Sequence, residues 1–127
     1  MAGGGHVTIP VYRVKADFFK VLGHPARIRT LEVLREGERS VGELVPEVGI
    51  ESSHLSQQLG IMRRAGLLST RKEGSTVFYS VTDDALFELL DVARRIITSF
   101  LTESQGVLDE LRAEQDQAEV GESEATQ

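Results

Sequence analysis

The residues best equipped for chemistry lie close together: Ser52, Ser53, His54, Ser56, Gln57 and Gln58, then the pair Arg63 and Arg64, then Arg71, Lys72 and Ser75. Gln can bond bidentately to adenine, Ser and His can meet base edges or phosphates, and Arg and Lys neutralise phosphate charge. We therefore expect this set to serve a nucleic acid. Catalysis and metal binding have far less to draw on. The chain has no cysteine, which removes thiolate ligands and thiol nucleophiles. Its three histidines, His6, His24 and His54, show no His-Glu-x-x-His spacing, and no nucleophile elbow is present. Gly3-Gly4-Gly5 precedes no strand-to-helix unit and is no phosphate loop. No catalytic residue and no metal ligand is expected. His24 reads as a structural residue of a His-Pro helix start and His6 as an ordinary tail residue. His54 fits both a DNA-facing and a merely solvated position, and Arg63 and Arg64 could form a solvated face if no basic hairpin stood beside them.

The formal net charge of −6 would argue against a nucleic-acid partner if only the sum mattered. The charge is unevenly placed. Residues 1–81 hold 11 Lys/Arg against 8 Asp/Glu, whereas residues 82–127 hold 3 against 12. Recognition of nucleic acid depends on local basic charge, so the first two thirds remain a candidate. A length of 127 residues with 40% hydrophobic content suits a single domain plus tails. No apolar run approaches the roughly 18 residues of a membrane span. Met1 to His6 lacks a basic start and apolar core, so the expected location is the cytoplasm.

These side chains need elements to hold them. Val11, Val14, Phe18 and Leu22 recur at helical spacing after Pro10, which can sit in a first turn, and Gly23 stops the pattern. Ile28, Leu31 and Leu34 repeat it after Pro25, with an end expected at Gly37. Ser40 and Glu43 form a capping box for a short third helix to about Val48, within which Pro46 is expected to impose a kink or an early end. Leu55, Leu59 and Met62 mark the buried stripe of a fourth helix, stopped at Gly66 in a left-handed conformation. The period then changes to two: Leu68–Lys72 and Thr76–Val81 flank Glu73-Gly74-Ser75 as a hairpin. Thr82 is expected to cap a long last helix. Its stripe, Leu86, Leu89, Leu90, Ala93, Ile97, Phe100 and Leu101, continues through Val107, Leu108 and Leu111. Together with Val14 and Phe18 of the first helix, it leaves more apolar surface than one small core can cover. A symmetric second copy is the simplest cover. The expected organisation is a flexible tail over 1–9, one domain over 10–113 and an acidic disordered tail over 114–127.

The order of LGHPARIRTLEVL, SVGELVPEVGIESSHLSQQLGIMRRAGLL and RKEGSTVFYSVTD resembles the ArsR/SmtB family of dimeric winged helix-turn-helix repressors, over about Phe18 to Asp84. The resemblance implies a mainly α fold with a two-stranded β-wing in the order α1-α2-α3-α4-β-β-α5. It also implies a dimer through the first and last helices and an operator released when an inducer binds. Ser53 to Leu59 match the family's recognition helix and Arg71 to Tyr79 its wing. The sequence departs from the family where metals bind: the thiolate positions fall on Ser40 and Gly42, and those of the last helix on Asp83, Ala85, Ile96 and Ser99, of which only the Asp could ligate. A further likeness, in PEVGIE and HLSQQL, is to an actinobacterial member tied to nickel-dependent superoxide dismutase expression. It implies a nickel response through unusual His/Asp ligands or a separate sensor protein. The expected function is a homodimeric regulator, most often a repressor, on a pseudo-palindromic operator of double-stranded DNA. The alternatives are an interaction dimer without DNA binding and a metal-binding module.

Overall fold

In the computed structural model, residues 8–125 are described, with side chains described through residue 121. The element order is α1 (Val11–Leu22), α2 (Pro25–Leu34), β1 (Arg39–Ser40), α3 (Val41–Val48), α4 (Ser52–Arg64), β2 (Leu68–Glu73), β3 (Thr76–Val81) and α5 (Ala85–Ala125). Among the described residues no helix is long and apolar enough to cross a membrane. Two units divide between Phe87 and Glu88, within α5. Residues 1–7, including His6 and most of the expected N-terminal tail, lie outside the described residues.

The first unit is built on leucines brought in from every helix. Leu31 of α2, Leu44 of α3, and Leu55, Leu59 and Met62 of α4 have no exposed surface, and Leu22, Leu34, Leu67, Leu68 and Leu86 pack around them. Burial of a Leu or Met side chain contributes about 1.5–3 kcal/mol, and here that burial seats α4 by one face against α2 and α3. Local chemistry sets the ends. His24 caps α2 by accepting the Ala26 N–H at Nδ1, 3.2 Å away, as the His-Pro reading anticipated. Ser40 and Glu43 complete the capping box of α3.

Pro46 does not end α3 early, and the helix runs on to Val48. The carbonyl it orphans is that of Gly42, one turn earlier, and Gly42 is exposed, so water can replace the lost bond. Thr82 is not the cap of α5. Its hydroxyl donates to the carbonyls of Gly66 and Leu67, at 2.8 and 3.1 Å, closing the base of the hairpin. Asp83 takes the capping role, its Oδ1 accepting from the Ala85 N–H at 2.9 Å. Pro10 likewise precedes α1 as its N-cap and is not in its first turn.

The sheet has three strands where two were expected, in the order β1-β3-β2 and antiparallel throughout. β2 pairs with β3 from Leu68↔Val81 to Glu73↔Thr76, around a two-residue turn in which Gly74 has φ 61°. That conformation costs Gly little and other residues more, which is why Gly occupies the first turn position. The added strand is only Arg39–Ser40, paired with Tyr79 and Phe78. Two residues are too few to show a period-two pattern, so no sequence signal marked it.

The second unit is the helical stretch of α5 beyond Phe87. It continues to Ala125, so the acidic segment expected to be disordered from 114 is helical as far as it is described. Its Glu, Gln and Ala residues are good helix formers, and lengthening an existing helix avoids the cost of nucleation. Pairs four residues apart add local support, as in Gln105 Nε2 donating to Asp109 at 2.9 Å.

Candidate nucleic-acid interface

α3 and α4 are joined by Gly49, Ile50 and Glu51, with Gly49 in the left-handed region at φ 81° and ψ 27°. That residue turns the chain so that α4 leaves at an angle to α3 while its buried stripe stays on the core. With about 100° of rotation per residue, Leu55, Gln58, Leu59 and Met62 share the inward face, and all four are buried. Ser53, Gln57, Gly60 and Arg64 fall within about 60° of one another on the opposite side. Ser53, Gln57 and Arg64 are exposed, and the Arg64 guanidinium folds back to 3.2 Å from where a Cβ on Gly60 would sit. Ser52, Ser56 and Arg63 flank this stripe on one side and His54 on the other, all exposed. The His54 ring meets that of His24 edge to face, centroids 6.4 Å apart.

Gln58 departs from its expected role. Its side chain is buried, and its Oε1 accepts from Arg27 Nε at 2.7 Å, so it belongs to the support of the helix and is not presented to a base. The inward direction follows from position: Gln58 lies about 100° from Gln57 and about 40° from Met62, at the edge of the buried stripe.

The hairpin brings Arg71, Lys72 and Ser75 to an exposed arm. Arg71 is engaged within the chain. Glu38, in the loop after α2, accepts from its Nε at 3.1 Å and its Nη2 at 2.6 Å, and Glu73 accepts from its Nη1 at 2.9 Å. The guanidinium carbon also lies 4.8 Å from the ring centre of Phe78. The bidentate hydrogen bonds from Arg71 hold the Glu38 carboxyl below its ordinary value of 4.5, and the same bonds raise Arg71 further. The positive charge that sequence reading assigned to phosphate is thus offset by two carboxylates. Lys72, next along the strand, has no ion pair among those found in the described residues. Sequence reasoning missed Glu38 and Arg27 altogether. Each lies 31 or more residues from its partner, and no local pattern links them.

The expected apolar contact residues divide. Leu86 is buried within the first unit and so is part of its core, which removes it from the candidate surface. Phe18, Leu89, Leu90 and Ala93 are half-buried. Val14 on α1, and Ile97, Phe100 and Leu101 on α5, are more than half exposed, the last three at the three- and four-residue spacing that puts them on one face of the helix. Among the described residues no three His, Asp or Glu side chains gather into a group able to hold a metal ion.

Comparison with known proteins matches this arrangement. The model of a family described as bacterial regulatory protein, arsR family, matches residues 24–70, from the α2 cap to the middle of β2. The chain is 52% identical over 105 residues to Rv0081 of Mycobacterium tuberculosis, an HTH-type transcriptional regulator, covering 82% of this chain and 92% of that one. The crystal structure of Rv0081 superposes with a TM-score of 0.69 over 76% of this chain and 97% of that chain. The transcriptional repressor BigR of Xylella fastidiosa, 38% identical, superposes with a TM-score of 0.62 over 67% of this chain and 87% of that one.

Proposed function

The chain belongs to the arsR family of bacterial regulatory proteins, and from that premise we propose that it is a sequence-specific DNA-binding transcriptional regulator, acting in the cytoplasm as a homodimer and most often as a repressor. The observation that carries this reading is the outward stripe of α4. Ser53, Gln57 and Arg64 stand exposed opposite a face buried on the core. A helix about 10–12 Å across fits a major groove about 12 Å wide. Ser53 and Gln57, in the N-terminal half, meet base edges, and Arg63 and Arg64 at the other end meet phosphates. The hairpin lies along the flanking backbone, with Lys72 as its phosphate contact and Ser75 at its tip.

A second copy doubles the half-site. The large apolar side chains left exposed on α1 and α5, Val14, Ile97, Phe100 and Leu101, support its covering these faces. Two copies of α4 would then read half-sites about 34–36 Å apart, or a multiple of that, in a pseudo-palindrome. Selection of duplexes from a random library by the full-length protein tests the reading. Enrichment of an inverted repeat, bound by two chains and resisting competition by scrambled duplex, is the expected result. A protein that enriches no sequence would instead be an interaction dimer without DNA binding.

A further inference from the structure

Arg27 occupies a position no surface role explains. It is half-buried in the first turn of α2, and its guanidinium reaches in two directions. Nη1 donates to the Val21 carbonyl at 3.0 Å, and Nε donates to Gln58 Oε1 at 2.7 Å. Val21 lies in the last turn of α1, where carbonyls lack intrahelical partners and carry the negative end of the helix dipole. A guanidinium only donates, so the amide oxygen of Gln58 must be the atom that faces it. One planar group therefore ties the end of α1 to the buried face of α4.

We propose that Arg27 is the positioning residue for base reading: shared between the Val21 carbonyl and Gln58, its guanidinium sets the roll of α4 relative to α1. This rests on the reading of α4 as the helix that meets base edges. The leucines of α4 fix its distance from the core, but apolar packing is non-directional and tolerates small rotations. A roll of about 20° moves a side-chain tip about 5–6 Å from the helix axis by about 2 Å. Hydrogen bonds survive only a few tenths of an ångström of stretch, so such a roll would take Gln57 out of reach of its base. The fork of Arg27 resists it because its donors point in fixed directions, which a lysine ammonium could not reproduce. The same fork means that a shift of α1 pulls on α4 through Gln58.

The test uses full-length protein and two duplexes, one selected by the wild type and one scrambled. Arg27→Met keeps the stem and removes the donors; Arg27→Lys keeps the charge and loses the fork; Gln58→Glu keeps an acceptor for Nε. For both Arg27 variants the expected result is a loss of about tenfold or more on the selected duplex, with binding to the scrambled duplex within about twofold of wild type. Gln58→Glu should keep the wild-type ratio. A residue that only stabilised the fold would lower the melting midpoint and leave that ratio unchanged at temperatures where the protein is folded. Should Arg27→Met fail to fold, Arg27→Lys decides. A wild-type ratio in Arg27→Lys, or equal losses on both duplexes, overturns the proposal. A wild type that itself fails to discriminate overturns the reading of α4 instead.

Discussion

Lys72→Ala and Arg71→Ala remove the same formal charge from neighbouring positions of β2, yet the structure assigns them different effects. Each phosphate contact releases counterions, steepening the dependence of log affinity on log salt by about 0.9. With one Lys72 on each hairpin of a homodimer, Lys72→Ala should flatten the slope by about 1.8, so that its deficit against wild type shrinks about tenfold between about 50 and about 200 mM salt. Arg71 is already held by Glu38 and Glu73, so Arg71→Ala should change the slope by less than half as much. Glu38→Gln reverses the logic. It leaves Glu73 as the one carboxylate on the guanidinium, which is then freer to turn toward DNA, and the slope should steepen by up to about 0.9 for each hairpin that gains a contact. Fluorescence anisotropy on operator and scrambled duplexes at four or more salt concentrations reads all three variants. If Arg71→Ala flattens the slope as much as Lys72→Ala and Glu38→Gln changes nothing, the Glu38 pair opens on DNA and the argument fails.

Gln57→Ala should weaken the selected operator by about 1–3 kcal/mol and leave scrambled DNA nearly untouched, measured in the same titrations. Ile97→Glu with Phe100→Glu puts charge on the apolar face of α5 and should convert the dimer to monomer in sedimentation, with α-helical content retained. Gly49→Ala meets no side chain but must adopt φ 81°, so its cost should be conformational, about 1–2 kcal/mol in denaturant unfolding. The Glu38 carboxyl titrates lower in the folded than in the unfolded chain, so its contribution to stability is fully present above the ordinary value of 4.5 and is lost as pH falls through the lowered one. Carboxyl chemical shifts should show that low titration in wild type, and Arg71→Ala should return it toward 4.5.

Much of the architecture was legible in the residues because it follows from short-range rules. The Ser40/Glu43 box, the His24-Pro25 start, the stripe of Leu55, Leu59 and Met62, and the Gly74 turn each depend on partners within a few positions, and each appears where the sequence places it. Helical period also separates the outward residues Ser53 and Gln57 from the core. What the sequence alone could not decide were pairings between distant segments. The neutralisation of Arg71 depends on Glu38, 33 residues away, and the burial of Gln58 on Arg27, 31 residues away. A basic residue on a hairpin and a glutamine on a helix look alike whether they face DNA or a neighbour within the chain. Charge and polarity are properties of the residue, but the partner that satisfies them is selected by the fold. The same holds for Thr82, whose hydroxyl could cap a helix locally until the hairpin brings the carbonyls of Gly66 and Leu67 within reach.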